Sequence, residues 1–164
     1  KIIKSSGWRF APEREIIAED VFPLHELYKY INCVGVLREA LYYYCVNEVS
    51  LTHTYRKDRF EKIKYFYEQS IKRADKLGYS DEIKERLKYP FLSFTIGAVK
   101  MIVHADCSKK EKKLSFKKVV LDELLINVIK SISLKNEPVS RKIFFWSIKH
   151  KFVGISYLLA SLKV

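Results

Sequence analysis

Glycine and proline are scarce in this 164-residue chain, with five of the first and four of the second. Few tight turns can form, so long regular elements are expected. Cysteine is scarcer still. Cys33, Cys45 and Cys107 make no C-x-x-C pair and no other metal-like spacing. Free thiols in a reducing compartment are therefore expected, and a disulfide framework is not. His25, His53, His104 and His150 are scattered without paired spacing, which argues against a metal centre. No apolar run reaches the roughly 18 residues of a bilayer-crossing helix. The most apolar stretch, 91–105, is interrupted by Lys100. There is no G-x-G-x-x-G, P-loop, H-E-x-x-H or G-x-S-x-G, and no D-x-D. No secretory leader opens the chain, so a cytoplasmic location is expected. Lys1 stands first in place of Met, which predicts a piece excised from a longer protein.

What is present is a chain able to fold. It is 48% hydrophobic and 14% aromatic, too apolar for a disordered segment, and its length suits one domain. The net charge of +12 is unevenly placed. Residues 1–108 hold 18 basic and 15 acidic side chains, a net +3, whereas residues 109–164 hold 13 and 4, a net +9. Such asymmetry suggests a polyanionic neighbour, either nucleic acid or an anionic membrane surface. A solvated basic face without a partner is the competing reading.

The periodicity of apolar residues sets the expected architecture. Residues 1–18 look irregular. Glu19-Asp20 opens a helix to about Tyr30, with Val21, Leu24, Leu27, Tyr28 and Ile31 at helical spacing. Val- and Tyr-rich runs at 33–37 and 40–46 predict a two-stranded β element near residues 33–46. From Arg56 the spacing turns helical, with Phe60, Ile63, Tyr67, Ile71 and Ala74 on one stripe and Gly78 as the C-terminal cap. Ser80-Asp81-Glu82 starts another helix, which Pro90 must break or kink. The segment after Pro90 is apolar on all faces and is expected to be the buried central helix of a bundle. Residues 108–115 read as a basic linker, followed by a helix that Ser115 caps and that carries Val120, Leu124, Val128 and Ile132. Residues 135–138 are a second break. Ser140 starts the final helical region, with Gly154 as a place for a division. The fold class is thus mainly α: a short β element, then a helical bundle. The two parts are residues 1–55 and a basic helical module at 56–164.

The N-terminal part carries the motif with chemistry in it. The run Gly7-Trp8-Arg9-Phe10-Ala11-Pro12-Glu13 is followed by Ile16-Ile17-Ala18-Glu19-Asp20-Val21-Phe22. About twenty residues later come Ala40-Leu41-Tyr42-Tyr43-Tyr44 and Asn47-Glu48-Val49-Ser50-Leu51-Thr52. In order and spacing, residues 5–54 resemble the late catalytic-domain segment of family-2 glycosyltransferases with the GT-A fold. That segment reads roughly G-x-R-F-x-E, E-D-V-x-F, a helix, a strand, P-L-Y-Y-Y-R and N-x-x-S-I-T. The resemblance implies an inverting sugar transferase, with this chain a fragment of the larger α/β enzyme.

In that family the Asp of the Glu-Asp motif is the general base, a place taken here by Asp20. A carboxylate is ionised at neutral pH and can take a hydroxyl proton within hydrogen-bond reach. Glu19 then orients the acceptor or Asp20; the alternative is a first-turn acid facing solvent. Asn47 and Ser50 match the polar loop that closes over the donor. Trp8 either stacks on a sugar ring or is buried, and Tyr42, Tyr43 and Tyr44 are either strand packing or a sugar platform. Cys45 stands where many relatives have Arg, and Ala40 where they have Pro. The resemblance also implies a nucleotide-sugar donor, a saccharide or lipid-linked acceptor, and Mg²⁺ or Mn²⁺ held by a D-x-D motif. That motif is absent here, so this fragment alone is expected to be inactive.

The basic region 140–163 has its own reading. Phe144, Ile148, Phe152, Ile155, Leu159 and Leu162 lie at helical spacing, with Arg141, Lys142, Lys149, Lys151 and Lys163 around them and Phe145 and Trp146 nearby. This pattern fits docking on an anionic membrane surface, at the inner face of the membrane. It also fits an apolar stripe packed into the bundle. Nucleic acid is not the expected partner, because no reading helix or aromatic platform is found. A basic helical binding module is the alternative to the enzyme reading.

Overall fold

The computed structural model describes residues 2–9, 17, 24–43, 45 and 55–162. Among these residues the chain is mainly helical and contains no strand. Two short helices come first, α1 (Ile2–Ser6) and α2 (Leu24–Leu27), the second running into a 3₁₀ turn at Tyr28–Tyr30. Trp8 and Leu27 are buried there. Of the helix expected from Glu19 to Tyr30, only this end lies within the described residues.

The two-stranded element expected near 33–46 is not seen. Residues 31–43 and Cys45 form no ladder, and Tyr44 and Val46 lie outside the described residues. Val34, Val36, Leu37, Leu41, Tyr42 and Tyr43 are all exposed, Tyr43 to 93%. High β propensity reflects fit to a pleated, half-buried surface, and a lone strand pair is marginal in water. Among the described residues nothing covers this stretch.

The bundle begins at α3 (Arg59–Lys76). Its predicted stripe faces inward: Phe60, Ile63, Tyr67 and Ala74 are buried, and Ile71 packs against the same core. Gly78 ends it at φ +69°. Tyr79 N–H reaches the Ala74 carbonyl at 3.0 Å and Gly78 N–H that of Asp75 at 3.0 Å, the paired bonds of a Schellman cap. The short α4 (Asp81–Arg86) follows Ser80.

α5 (Lys88–His104) is the hub, packing against α3, α4, α6, α7 and α9. Pro90 sits in its first turn, where a missing N–H breaks no intrahelical bond. The chain therefore breaks before Pro90, at Leu87, and restarts. Phe91, Leu92, Thr95, Ile96, Ala98, Val99, Ile102 and Val103 are buried, which matches an apolar helix surrounded by neighbours. Phe91 lies against Tyr67 with ring centroids 4.8 Å apart, and Phe94 meets Phe66 edge-on at 5.6 Å. Full burial of a ring such as Phe91 stabilises the bundle by roughly 1.5–3 kcal/mol.

The basic run 108–115 is helix, not linker. Ser108 Oγ accepts the Glu111 N–H at 3.2 Å and caps α6 (Lys109–Val120). Ser115 lies inside that helix and caps nothing. The next cap is Asp122, whose Oδ1 accepts the Leu125 N–H at 3.1 Å to start α7 (Glu123–Ser131). The break at 135–138 occurs as expected, and α8 (Val139–Lys149) follows it.

α9 (Val153–Ser161) completes the core, and the division before it falls at 150–152, ahead of Gly154. Lys151 adopts φ +60°. Phe152 N–H bonds the Ser147 carbonyl at 2.8 Å and Lys151 N–H that of Ile148 at 2.9 Å. This is the same cap as at Gly78, built on a residue that enters the left-handed region at a cost. Across the turn, Ser147 and Ser156 hydroxyls meet at 2.8 Å, fully buried.

Candidate functional site

The acceptor-side residues Glu19, Asp20, Asn47 and Ser50 lie outside the described residues. Trp8 lies within them. It is 8% exposed, so its ring is covered and not open for stacking in this state. Its position is fixed locally: Gly7 turns the chain at φ +68°, Trp8 N–H donates to Ser6 Oγ at 3.3 Å, and Arg9 Nη1 donates to the Trp8 carbonyl at 2.8 Å. Tyr42 and Tyr43 are not core packing here; both point into solvent.

A small cleft marks the start of the helical module, between the first turn of α3, α5 and α6. Its volume is about 40 Å³, lined by Tyr55, Arg56, Arg59, Ser115 and Lys118 among others. Tyr55 Oη donates to Ser115 Oγ at 3.0 Å. Arg56 pairs with Asp58 at 2.9 Å, Lys57 with Glu111 at 2.6 Å, and Lys118 with Glu61 at 3.0 Å. Glu111 raises the Lys57 ammonium above its usual range. Burial, with Arg56 beside it, lowers the Arg59 guanidinium. The cleft holds a few waters at most, and these cations are answered from within the chain. It is a joint and has no room for a sugar. Among the described residues no group of three or more His, Cys, Asp or Glu side chains could hold a metal ion.

The larger feature is the outward side of α8 and α9. Phe144, Phe145 and Ile148 are buried, so most of the α8 part of the expected docking stripe belongs to the core. A different set faces out. Val139, Ile143, Trp146 and His150 are exposed, and at about 100° per residue they span roughly a 60° arc. On α9, Ile155 and Leu158 are exposed about 60° apart, and Leu162 just after the helix is exposed too. Trp146 sits at the α8–α9 turn, lying 5.1 Å from His150 and 5.4 Å from Phe152, the residue before α9, between ring centroids. Beside it opens an apolar groove of about 480 Å³, lined by Leu134, Lys135, Lys142, Ile143 and Trp146.

Reading Phe144 to Leu162 as one stripe hid this face, because the α8 members of that stripe, Phe144 and Ile148, point into the core. The signal that could have found it is the Ile143–Trp146 pair, three residues apart and one step off the core stripe. No helix among the described residues is long and apolar enough to cross a membrane. No family model matches the chain, and no curated protein or solved structure matches it.

Proposed function

We propose that this chain is the acceptor-side end of an inverting family-2 glycosyltransferase, joined to a helical module, with Asp20 as the general base. The ordered run from Gly7 through Glu19-Asp20 to Asn47 and Ser50 carries the proposal. The Asp20 carboxylate takes the proton of an acceptor hydroxyl on a saccharide or lipid-linked acceptor. The freed oxygen pair bonds to the anomeric carbon while the carbon–oxygen bond to the nucleotide diphosphate breaks on the opposite face. Glu19 orients the acceptor, and Asn47 and Ser50 close over the donor.

Two structural observations support this reading. The bundle core runs from Phe60 to Ala160, so the helical module has its own interior. The apolar stretch 34–43 is exposed, as expected of a segment whose cover is a sheet from the donor-binding half. Mg²⁺ or Mn²⁺ would neutralise the leaving diphosphate. The sequence has no D-x-D, and among the described residues no group of three or more His, Cys, Asp or Glu could hold such an ion. The proposal therefore assigns the ion to the donor-binding half.

The test uses the full gene-encoded protein with Mg²⁺ or Mn²⁺, a panel of nucleotide sugars and a lipid-linked acceptor, following diphosphate release. Asp20→Asn should lose about 10²–10⁴ in rate while still binding donor. Equal rates for the two proteins would remove Asp20 from catalysis. No turnover with any donor would favour a basic binding module over an enzyme.

A further inference from the structure

We infer that the outward face of α8 and α9 docks on an anionic lipid surface, lying in the plane of the headgroups. This goes beyond the transferase reading and does not depend on it.

Scattered exposed apolar residues are ordinary, but a contiguous set with a polar rim marks an interaction site. Here the set is contiguous: Trp146 contacts Phe152 and borders the groove that holds Ile143 and Leu134. Trp146 is 48% exposed and Phe152 45%. The rim is cationic. Lys135 and Lys142 line the groove, and Lys149 and Lys151 are exposed at the α8–α9 turn. The only acid in residues 124–164 is Glu137, which Arg141 holds at 3.2 Å.

Charge decides among the occupants. A second copy of this face would bring two strongly cationic surfaces together. Nucleic acid would gain from the lysines but would set phosphates against an apolar groove. A bilayer with anionic headgroups answers both features, since lysines reach phosphates while the indole and aliphatic side chains enter the acyl boundary. No described helix can cross the bilayer, so the contact stays interfacial.

The chain supplies its own probe, since Trp8 and Trp146 are its two tryptophans and Trp8 is buried. In Trp8→Phe, emission reports Trp146 alone. Vesicles of equal parts phosphatidylglycerol and phosphatidylcholine should bind the chain at low salt, shift Trp146 emission to the blue, and allow quenching by brominated acyl chains. High salt should weaken binding, and phosphatidylcholine vesicles should bind far less. Lys135→Gln with Lys149→Gln should cost roughly thirty-fold in vesicle affinity. Co-sedimentation of the unaltered chain and of this double variant does not involve Trp8, so the test survives if Trp8→Phe misfolds. The inference fails if anionic vesicles do not bind at low salt, or if neutral vesicles bind as well. It also fails if Trp146 emission shifts with protein concentration alone, which would mean a second copy, or shifts with duplex nucleic acid but not with lipid.

Discussion

Asp122 performs two tasks with its two oxygens, and they can be separated by substitution. Oδ1 accepts the Leu125 N–H at 3.1 Å and caps α7. Oδ2 accepts from Lys64 Nζ at 2.8 Å and ties α7 to α3. The side chains are 15% and 24% exposed, so water screens the pair only in part. The cap contributes about 1 kcal/mol. The charged contact also contributes about 1 kcal/mol, below the usual charged-bond range because Lys64 stays partly wet. Glu61, 3.9 Å from Lys64, is a second partner if Asp122 is lost.

Asp122→Ala should therefore cost about 2 kcal/mol, and Asp122→Asn, which caps as well as Asp, about 1 kcal/mol. For a chain of this size the melting temperature should fall by roughly 4–8 °C and 2–4 °C respectively. Urea unfolding followed by far-UV circular dichroism should show a lower midpoint with an unchanged slope. A double-mutant cycle with Lys64→Met should return a coupling of about 1 kcal/mol.

The pH dependence has a definite sign. The hydrogen bond to Asp122, then its charge together with Glu61 and Glu68, outweighs burial and raises Lys64 above its ordinary 10.5. The pair's contribution is thus complete below pH 10.5 and is lost as pH rises through the higher folded value. If Asp122→Asn costs as much as Asp122→Ala, the capping half of this reasoning is wrong. If the Asn cost persists unchanged above the folded value, the ionic half is wrong.

Three further outcomes are expected from unfolding experiments. Lys151→Gly should raise stability by about 1 kcal/mol, because glycine takes the left-handed conformation without penalty, whereas Gly78→Ala should lower it by about 1 kcal/mol. A Cβ at Gly78 would meet open space, so the loss there is backbone strain alone. Ser70→Ala should stabilise α3 by about 1 kcal/mol, since Ser70 is 1% exposed and its hydroxyl finds no hydrogen-bond partner on a described residue; a loss would mean that the hydroxyl is bonded in solution. Ser156→Ala should cost about 1 kcal/mol, and adding Ser147→Ala should cost less than the sum of the two, because they share one bond.

The bundle was legible where one signal dominated. The 60–74 stripe and Gly78 defined α3, and the all-round apolarity after Pro90 identified the hub. Legibility failed where charge hid a helix. The lysines of 109–113 suggested a linker, yet Ser108 with Glu111 three residues on is a helix-start signature. It failed again where a turn lacked its usual residue, since nothing in the type of Lys151 announces a left-handed cap. The Val and Tyr of 33–46 were read by local propensity, but a strand exists only with a partner. The proposed catalytic residues were legible only as an ordered motif, whereas the outward face needed the phase of α8, which burial fixes and sequence leaves ambiguous.

The position of α9 has a consequence for how the chain is born. α9 packs on α5 although three helices lie between them in sequence. A ribosome adding roughly 5–20 residues per second needs several seconds to travel from one to the other. During that interval the hub helix of the bundle is out of the exit tunnel with one flank uncovered. Local contacts with α3 and α4 can form at once, but closure waits for residue 161. Slow codons in 105–152 would lengthen that exposure and raise aggregation without changing a single residue of the product.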